Sequence, residues 1–270
     1  MPIEINSIFD TPFTEDFVFC NVLVENPEIC KSIAEIATGR KIKKIIKMQN
    51  QKFIKKSLDG KGVRFDVAFE DDVNTIYDVE MQQSNQVVLP ERTRYYQSLL
   101  DLETLGKGEG YESIKKGYII FICTFDPFHK GLHKYVASTS INNHPDIKFE
   151  DGMEKIFLNS QYKEEDIDSD TRMFLDYVRM GIVKNSLTSD IEGARKNLLS
   201  NEERRAEFMN FLERCQMERA EGISEGIAEG RAEERYTIIK NALKNGMSKE
   251  DIIRLLNVSS DDVDKALAGS

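Results

Sequence analysis

The chain has 270 residues, 40% of them hydrophobic and 31% charged, with a formal net charge of −10. This length and apolar content suffice for one large domain with an appendage, and the acidic balance argues against a general nucleic-acid coat, whose affinity rests on Lys and Arg neutralising phosphates. No apolar run is long enough for a bilayer span, and the opening MPIEINSIFDTPF lacks a basic segment followed by an apolar signal core, so a cytoplasmic protein is expected. Cys20, Cys30, Cys123 and Cys215 are scattered without a close pair, which suits reduced structural thiols better than zinc ligands or a disulfide framework.

From Thr14 to Thr38 the apolar spacing predicts two helices, one through Phe17, Val18, Val22 and Leu23, the other through Ile29, Ile33, Ile36 and Ala37. Asn26 and Pro27 separate them and Gly39 closes the second. Asp16 falls in the first turn of the first helix, where a carboxylate favours the helix dipole. The stretch from Arg40 to Lys56 follows, carrying Arg40, Lys41, Lys43, Lys44, Lys47, Lys52, Lys55 and Lys56 with no acid among them. Such a run either contacts a phosphate backbone or protects a solvated edge strand.

The stretch Gly62 to Gln82, GVRFDVAFEDDVNTIYDVEMQ, reads as a hairpin. In the first arm Val63, Phe65, Val67 and Phe69 alternate with Arg64, Asp66, Ala68 and Glu70; in the second, Tyr77, Val79 and Met81 alternate with Asp78, Glu80 and Gln82. If the arms pair, Asp66 approaches Glu80, and two close carboxylates repel unless one is protonated or a cation sits between them. A hard divalent ion such as Mg²⁺ is the simplest candidate. The bland alternative is a polar face that is merely solvated.

Leu89-Pro90-Glu91 introduces a helix ending before Gly106, with an apolar stripe of Tyr95, Leu99, Leu102 and Leu105, and with Arg92, Tyr96 and Gln97 on or beside the face turned toward the carboxylates. Residues 117 to 125, GYIIFICTF, predict a strand buried on both faces. His129 and His133 follow a turn and have Gly131 between them, so they read as loop residues and not as helical metal ligands. KIFLN, residues 155 to 159, predicts another strand; from Asp170 the pattern is helical, with a second helix from about Glu202 into the tail.

In the tail, Glu-Gly recurs at Glu221-Gly222, Glu225-Gly226 and Glu229-Gly230, which fits either a helix that self-associates along its glycine stripe or a flexible linker. Two short helices close the chain, started by Ser248 and Ser260. Glu250, Asp251, Asp261, Asp262 and Asp264 argue against a DNA-recognition helix there.

Asp66 with Glu80-Met81-Gln82 resembles the core of the PD-(D/E)XK nucleases, with Gln82 in the position usually held by Lys. The words KGVRFDV, YDVEMQ and PERTRYYQSLLD resemble the recombination-promoting nuclease/transposase branch of that superfamily, from about Asp16 to the start of the tail. The resemblance implies a restriction-endonuclease-like α/β fold, a mixed sheet flanked by helices in residues 1–215, followed by a helical C-terminal tail in residues 216–270. It implies a DNA endonuclease dependent on Mg²⁺, with Mn²⁺ as a substitute, in which Asp66 and Glu80 hold the metal and Gln82 orients the attacking water. TEDFVF resembles the opening helix of the family, and Asp16 matches an acid there that touches the metal directly or through water; Cys20 stands where relatives often carry Lys. Arg92, Arg94, Gln97, Lys52 and Lys55 are the expected DNA contacts, and the C-terminal helix the expected route to a homo-oligomer.

Gln supplies neither positive charge nor a titratable group. Either the metal activates water alone, or a neighbour such as Lys52 or Lys55 substitutes, or activity is low. The alternative function is a non-catalytic DNA-binding or oligomeric assembly protein that retains the fold. Strand transfer finds no support, since a second acidic constellation is missing from the sequence.

Overall fold

The computed structural model describes residues 8–54, 63–84, 88–144 and 146–268, with the backbone alone for 50–54, 63 and 268. The chain divides into two compact units, Met1–Arg205 and Ala206–Ser270.

The first unit opens with the expected helix pair, α1 (Asp16–Glu25) and α2 (Pro27–Thr38). Pro27 fits the first turn of α2 because its missing N–H would have no intrahelical partner there, and Gly39 stops the helix in the left-handed region at φ 70°. Six strands form one mixed sheet: β1 (Ile45–Ile54), β2 (Val63–Asp71), β3 (Ile76–Gln82), β4 (Gly117–Cys123), β5 (Lys134–Ala137) and β6 (Met153–Asn159), in the order β1-β2-β3-β4-β6-β5. β2 pairs antiparallel with β1 and β3, β4 runs parallel to β3 and β6, and β5 closes the far edge antiparallel to β6. The part of the basic stretch that carries Lys47 and Lys52 therefore forms an edge strand. Lys52 stands opposite Phe65 in its ladder, while Lys55 lies outside the described residues.

The hairpin turn is held by Asp71, whose Oδ1 accepts from the N–H groups of Val73 and Thr75 at 3.0 and 2.8 Å, letting Asn74 take φ 61°. α3 (Leu89–Thr104) lies across one face of the sheet, packing Leu89, Tyr96, Leu99 and Leu100 on Phe65, Ala68, Ile119, Phe121 and Phe157. Each such burial contributes about 1.5–3 kcal/mol, the term that offsets placing acids in the same layer. This corrects the expected stripe: Tyr95 and Leu102 are exposed, and the helix turns its 89/93/96/100 side inward, which also carries Arg92 to the sheet. On the other face the rings of Phe69, Tyr77 and Tyr118 stack at 4.5 and 5.3 Å in register across three strands.

β5 and a further helix are additions to the expected order. α4 (Ser169–Met180) buries Phe174, Leu175, Tyr177 and Val178, and α5 (Ser186–Ser200) begins with a reciprocal Asn185–Thr188 cap.

α6 (Glu202–Lys244) runs as a single helix through the Glu-Gly repeat, and a Cβ added at Gly222, Gly226 or Gly230 would meet nothing within 4 Å. In the second unit α7 (Lys249–Leu256) and α8 (Ser260–Ala268) fold with the end of α6 around Ile239, Ile252, Val258, Val263 and Ala266. Ser248 caps α7 as expected; at α8 the hydroxyl accepting from Asp262 N belongs to Ser259, one residue before the expected Ser260. Among the described residues no helix is long and apolar enough to cross a membrane.

Candidate active site

The carboxylates are brought together where the β2–β3 ladder ends. The two strands pair from Val67 to Glu70 against Ile76 to Val79. Beyond that, side chains replace the ladder: Asp66 N donates to Glu80 Oε1 at 2.9 Å, and Met81 N donates to Asp66 Oδ2 at 3.0 Å. Each acid thus satisfies a backbone N–H of the other strand, which would otherwise be orphaned in the interior. The strict alternation expected for β2 breaks at this point, since Phe65 and Ala68, of opposite parity, belong to one core layer under α3. Asp66 consequently turns its carboxylate toward α1, where an oxygen of Asp66, an oxygen of Asp16 and Cys20 Sγ lie within 4.8 Å of one another.

The acidic face of the hairpin is not solvated. Asp78 is 0%, Glu80 1%, Gln82 6% and Asp66 8% exposed. Arg92 is the cation of this layer: its Nη2 donates to Glu80 Oε2 at 3.0 Å and its Nη1 to Gln82 Oε1 at 2.8 Å. Its Nε donates to Tyr96 Oη at 2.8 Å, and the guanidinium lies over the rings of Tyr96 and Phe121 at 4.9 and 5.5 Å. Arg64 serves Asp16 in the same way, at 2.7 Å, from a more exposed position. Gln82 Nε2 donates to the Ser84 carbonyl at 2.8 Å, so both ends of that amide are engaged.

Asp78 has no such partner. Neither of its oxygens meets a donor among the described residues. The group facing it is the Glu80 carboxyl, with which it shares a hydrogen bond only if one of the two carries a proton. Burial first, then Asp66, pushes the Asp78 carboxyl well above its ordinary range; burial first, then Asp78 and Asp66, does the same to Glu80. Asp66, buried beside Asp16, is pushed up to about 6.

These shifts set a stability profile. A carboxyl that holds its proton more tightly when folded makes the folded state bind more protons, so stability falls as pH rises from the unfolded value toward the folded one. For Asp66 that window runs from 3.8 to about 6, worth on the order of 2–3 kcal/mol, with Glu80 and Asp78 extending the fall upward. The depressed acid Glu192, at about 2, loses its contribution only as pH drops below its ordinary 4.5 and does not offset this. Urea midpoints in chelator are therefore expected to decrease between pH 5 and pH 8 and to recover at pH 8 on adding Mn²⁺. A midpoint that stays level across that range would mean the acids are ionised at little cost.

The structure thus brings Asp16, Asp66, Glu80, Gln82 and Arg92 into one cluster. Arg94 is exposed on α3, and Gln97 hydrogen-bonds Asp101, one turn further along the same helix. His129 and His133 lie in the loop after β4, as expected, with His133 Nδ1 2.5 Å from Glu164 Oε2. Two participants escaped the sequence reading, Asp78 as a donorless acid and Cys20 as a neighbour of the acids; Arg92, expected beside the carboxylates as a DNA contact, is their internal cation. The pairing of Arg92 with Tyr96, one helical turn apart, was the available signal for that role.

The residues suit a divalent ion. Among the described residues four carboxyls, on Asp16, Asp66, Asp78 and Glu80, share two guanidinium groups, and Asp78 adds two buried oxygens with no donor. A mixed six-stranded sheet flanked by helices, with acids at the end of a central hairpin, defines a restriction-endonuclease-like α/β fold with a C-terminal helical region. Residues 14–222 match the family described as PD-(D/E)XK nuclease family transposase, and the chain belongs to that family. No curated protein and no solved structure matches it.

Proposed function

We propose that the protein is a divalent-metal-dependent DNA endonuclease that hydrolyses phosphodiester bonds, using Mg²⁺ or Mn²⁺. The observation that carries this reading is a cluster of four carboxyls, three of them buried, that meets two guanidinium groups among the described residues, in a chain of the PD-(D/E)XK nuclease family. Asp66 and Glu80, with Asp16 and the carbonyl of Met81, would hold the ion. Once bound, it supplies Lewis acidity toward the phosphate and a bound water of lowered pKa.

The remaining roles belong to the chain. Gln82 lacks the charge of the usual Lys, and Arg92 supplies one at the same point by bridging Gln82 and Glu80. Arg92 therefore acts within the cluster as a positioning residue, and among the expected DNA contacts the exposed Arg94 is left for the phosphate backbone, beside the lysines of the β1 edge. Residues 14–222 carry the nuclease, and the α6 repeat brings copies together through Gly222, Gly226 and Gly230 with the exposed Ile223 and Ile227. Sedimentation at micromolar concentration should then show a species heavier than the 31.0 kDa chain, and a strict monomer removes this part of the reading. The reduced cysteines agree with a cytoplasmic setting.

A second reading is a DNA-binding or assembly protein without catalysis. It draws on the engagement of both Glu80 oxygens and both ends of the Gln82 amide. Supercoiled plasmid incubated with Mg²⁺, Mn²⁺ or chelator separates the two. Metal-dependent nicking supports the nuclease; retention of plasmid in a gel shift with no nicking under any metal supports the second reading.

A further inference from the structure

We propose that Cys20 is a metal ligand beside Asp16 and Asp66, and that this thiol shifts the centre from Mg²⁺ toward borderline divalent ions such as Fe²⁺ or Co²⁺. The inference rests on the metal-dependent reading above and specifies the donor set of that site.

Asp16 and Cys20 are four apart on α1, so their side chains leave the same face of the helix one turn from each other. That face meets β2 where Asp66 has turned out of the hairpin alternation. The three donor atoms lie within 4.8 Å of one another, a span close to two metal–ligand bonds of about 2.0–2.4 Å laid end to end. Only small movements separate this arrangement from shared coordination.

Burial and bonding point the same way. Cys20 is 0% exposed and its Sγ approaches Asp16 Oδ1 at 3.5 Å, so the thiol is directed at carboxylates and not at the apolar layer. Asp66 is more than nine-tenths buried, and Met81 N occupies its Oδ2. Two carboxylates and a thiol, with Asp66 and Cys20 both buried, thus converge on one point at the end of the ladder. Arg64 donates to Asp16 Oδ2, from a side chain 47% exposed.

Ligand softness then decides which ion. Oxygen-only sites suit Mg²⁺, which accepts sulfur poorly, whereas thiolate raises the affinity for later first-row metals. On binding, Cys20 gives up its proton to solvent and forms the sulfur–metal bond. Arg64 remains to balance Asp16.

Cobalt spectroscopy on the full chain tests this directly, with Cys215→Ser as background to remove the exposed thiol. Titrating Co²⁺ is expected to produce a near-ultraviolet thiolate-to-cobalt charge-transfer band that is absent from Cys20→Ser and Cys20→Ala, each checked for folding by circular dichroism. Calorimetry should show Co²⁺ affinity falling roughly 10- to 100-fold in those variants, with Mg²⁺ affinity almost unchanged. Cobalt heat that Asp66→Asn abolishes, without a charge-transfer band in the parent, overturns Cys20 as ligand and leaves the metal site standing. A band that survives in Cys20→Ser overturns it as well. Failure of Co²⁺, Mn²⁺ and Mg²⁺ to bind at all overturns both this inference and the metal-dependent reading.

Discussion

Asp66→Asn and Glu80→Gln are each expected to lower metal-dependent nicking by about a thousandfold while leaving the chain folded. The figure follows from the several kcal/mol a bound ion contributes at a reacting phosphate, about 4 kcal/mol being a factor of a thousand. Both replacements keep the shape of the side chain. Asparagine at 66 retains an oxygen for Met81 N, and glutamine at 80 retains one for Asp66 N, so the exchange of bonds that ends the ladder survives. On the proposed reading each removes a charge the ion requires, and Glu80→Gln also gives up the ion pair with Arg92. The measurement is the initial rate of plasmid nicking in Mg²⁺ and Mn²⁺, paired with a gel shift in Ca²⁺. Loss of cleavage with binding retained places the chemistry on the hairpin; variants as active as the parent would remove these two acids from it.

Arg92→Ala is expected to destabilise the protein by about 3–5 kcal/mol at pH 8, the usual result of removing one partner of a buried ion pair. Glu80 is 1% exposed, and Arg92 is its paired cation; the same guanidinium holds Gln82 and stacks on Tyr96 and Phe121. Arg92→Lys should recover only part of the loss, because an ammonium cannot reach Glu80 and Gln82 with a planar fork. At pH 5 the deficit should shrink, since Glu80, whose carboxyl is held well above its ordinary range by burial, then keeps its proton and needs no counter-ion. Urea denaturation at both pH values checks the pair of statements. A loss below about 1 kcal/mol at pH 8 would show Arg92 to be peripheral to the cluster, as surface ion pairs are.

These two expectations divide the labour at the site. In the proposed function Asp66 and Glu80 offer negative charge to an ion, while Arg92 pairs with Glu80 inside the fold and places a cation at Gln82. The two effects should therefore separate between Asp66→Asn, which keeps the Arg92–Glu80 pair and appears in nicking, and Arg92→Ala, which appears in stability at any metal concentration.

The amino-acid sequence by itself determined the elements with a strong local period. α1 and α2 follow from apolar residues at helical spacing on either side of Asn26-Pro27, β4 from an unbroken apolar run, and the β2–β3 hairpin from two alternating arms around a polar turn. The resemblance singled out Asp66, Glu80 and Gln82, and the structure places these three in one buried cluster. Short or weakly patterned pieces were not legible: β5 has four residues, and α5 mixes its few buried positions with polar ones. Local pattern is set by each residue's neighbours in the chain, and these pieces gain their stability from neighbours in space.

Tertiary structure alone decided what the acids meet. Alternation put Asp66 opposite Glu80, but the end of the ladder turned it toward Asp16 and Cys20, a rotation that depends on which strand partner satisfies which N–H. The face carrying Asp78, Glu80 and Gln82 has the composition of a solvated surface, and it is buried because α3 lies across it with Tyr96, Leu99 and Leu100 inward. Burial is a property of how two elements pack. The sequence of either one names the charges, and only their packing fixes the dielectric around those charges, hence their protons and their need for a cation.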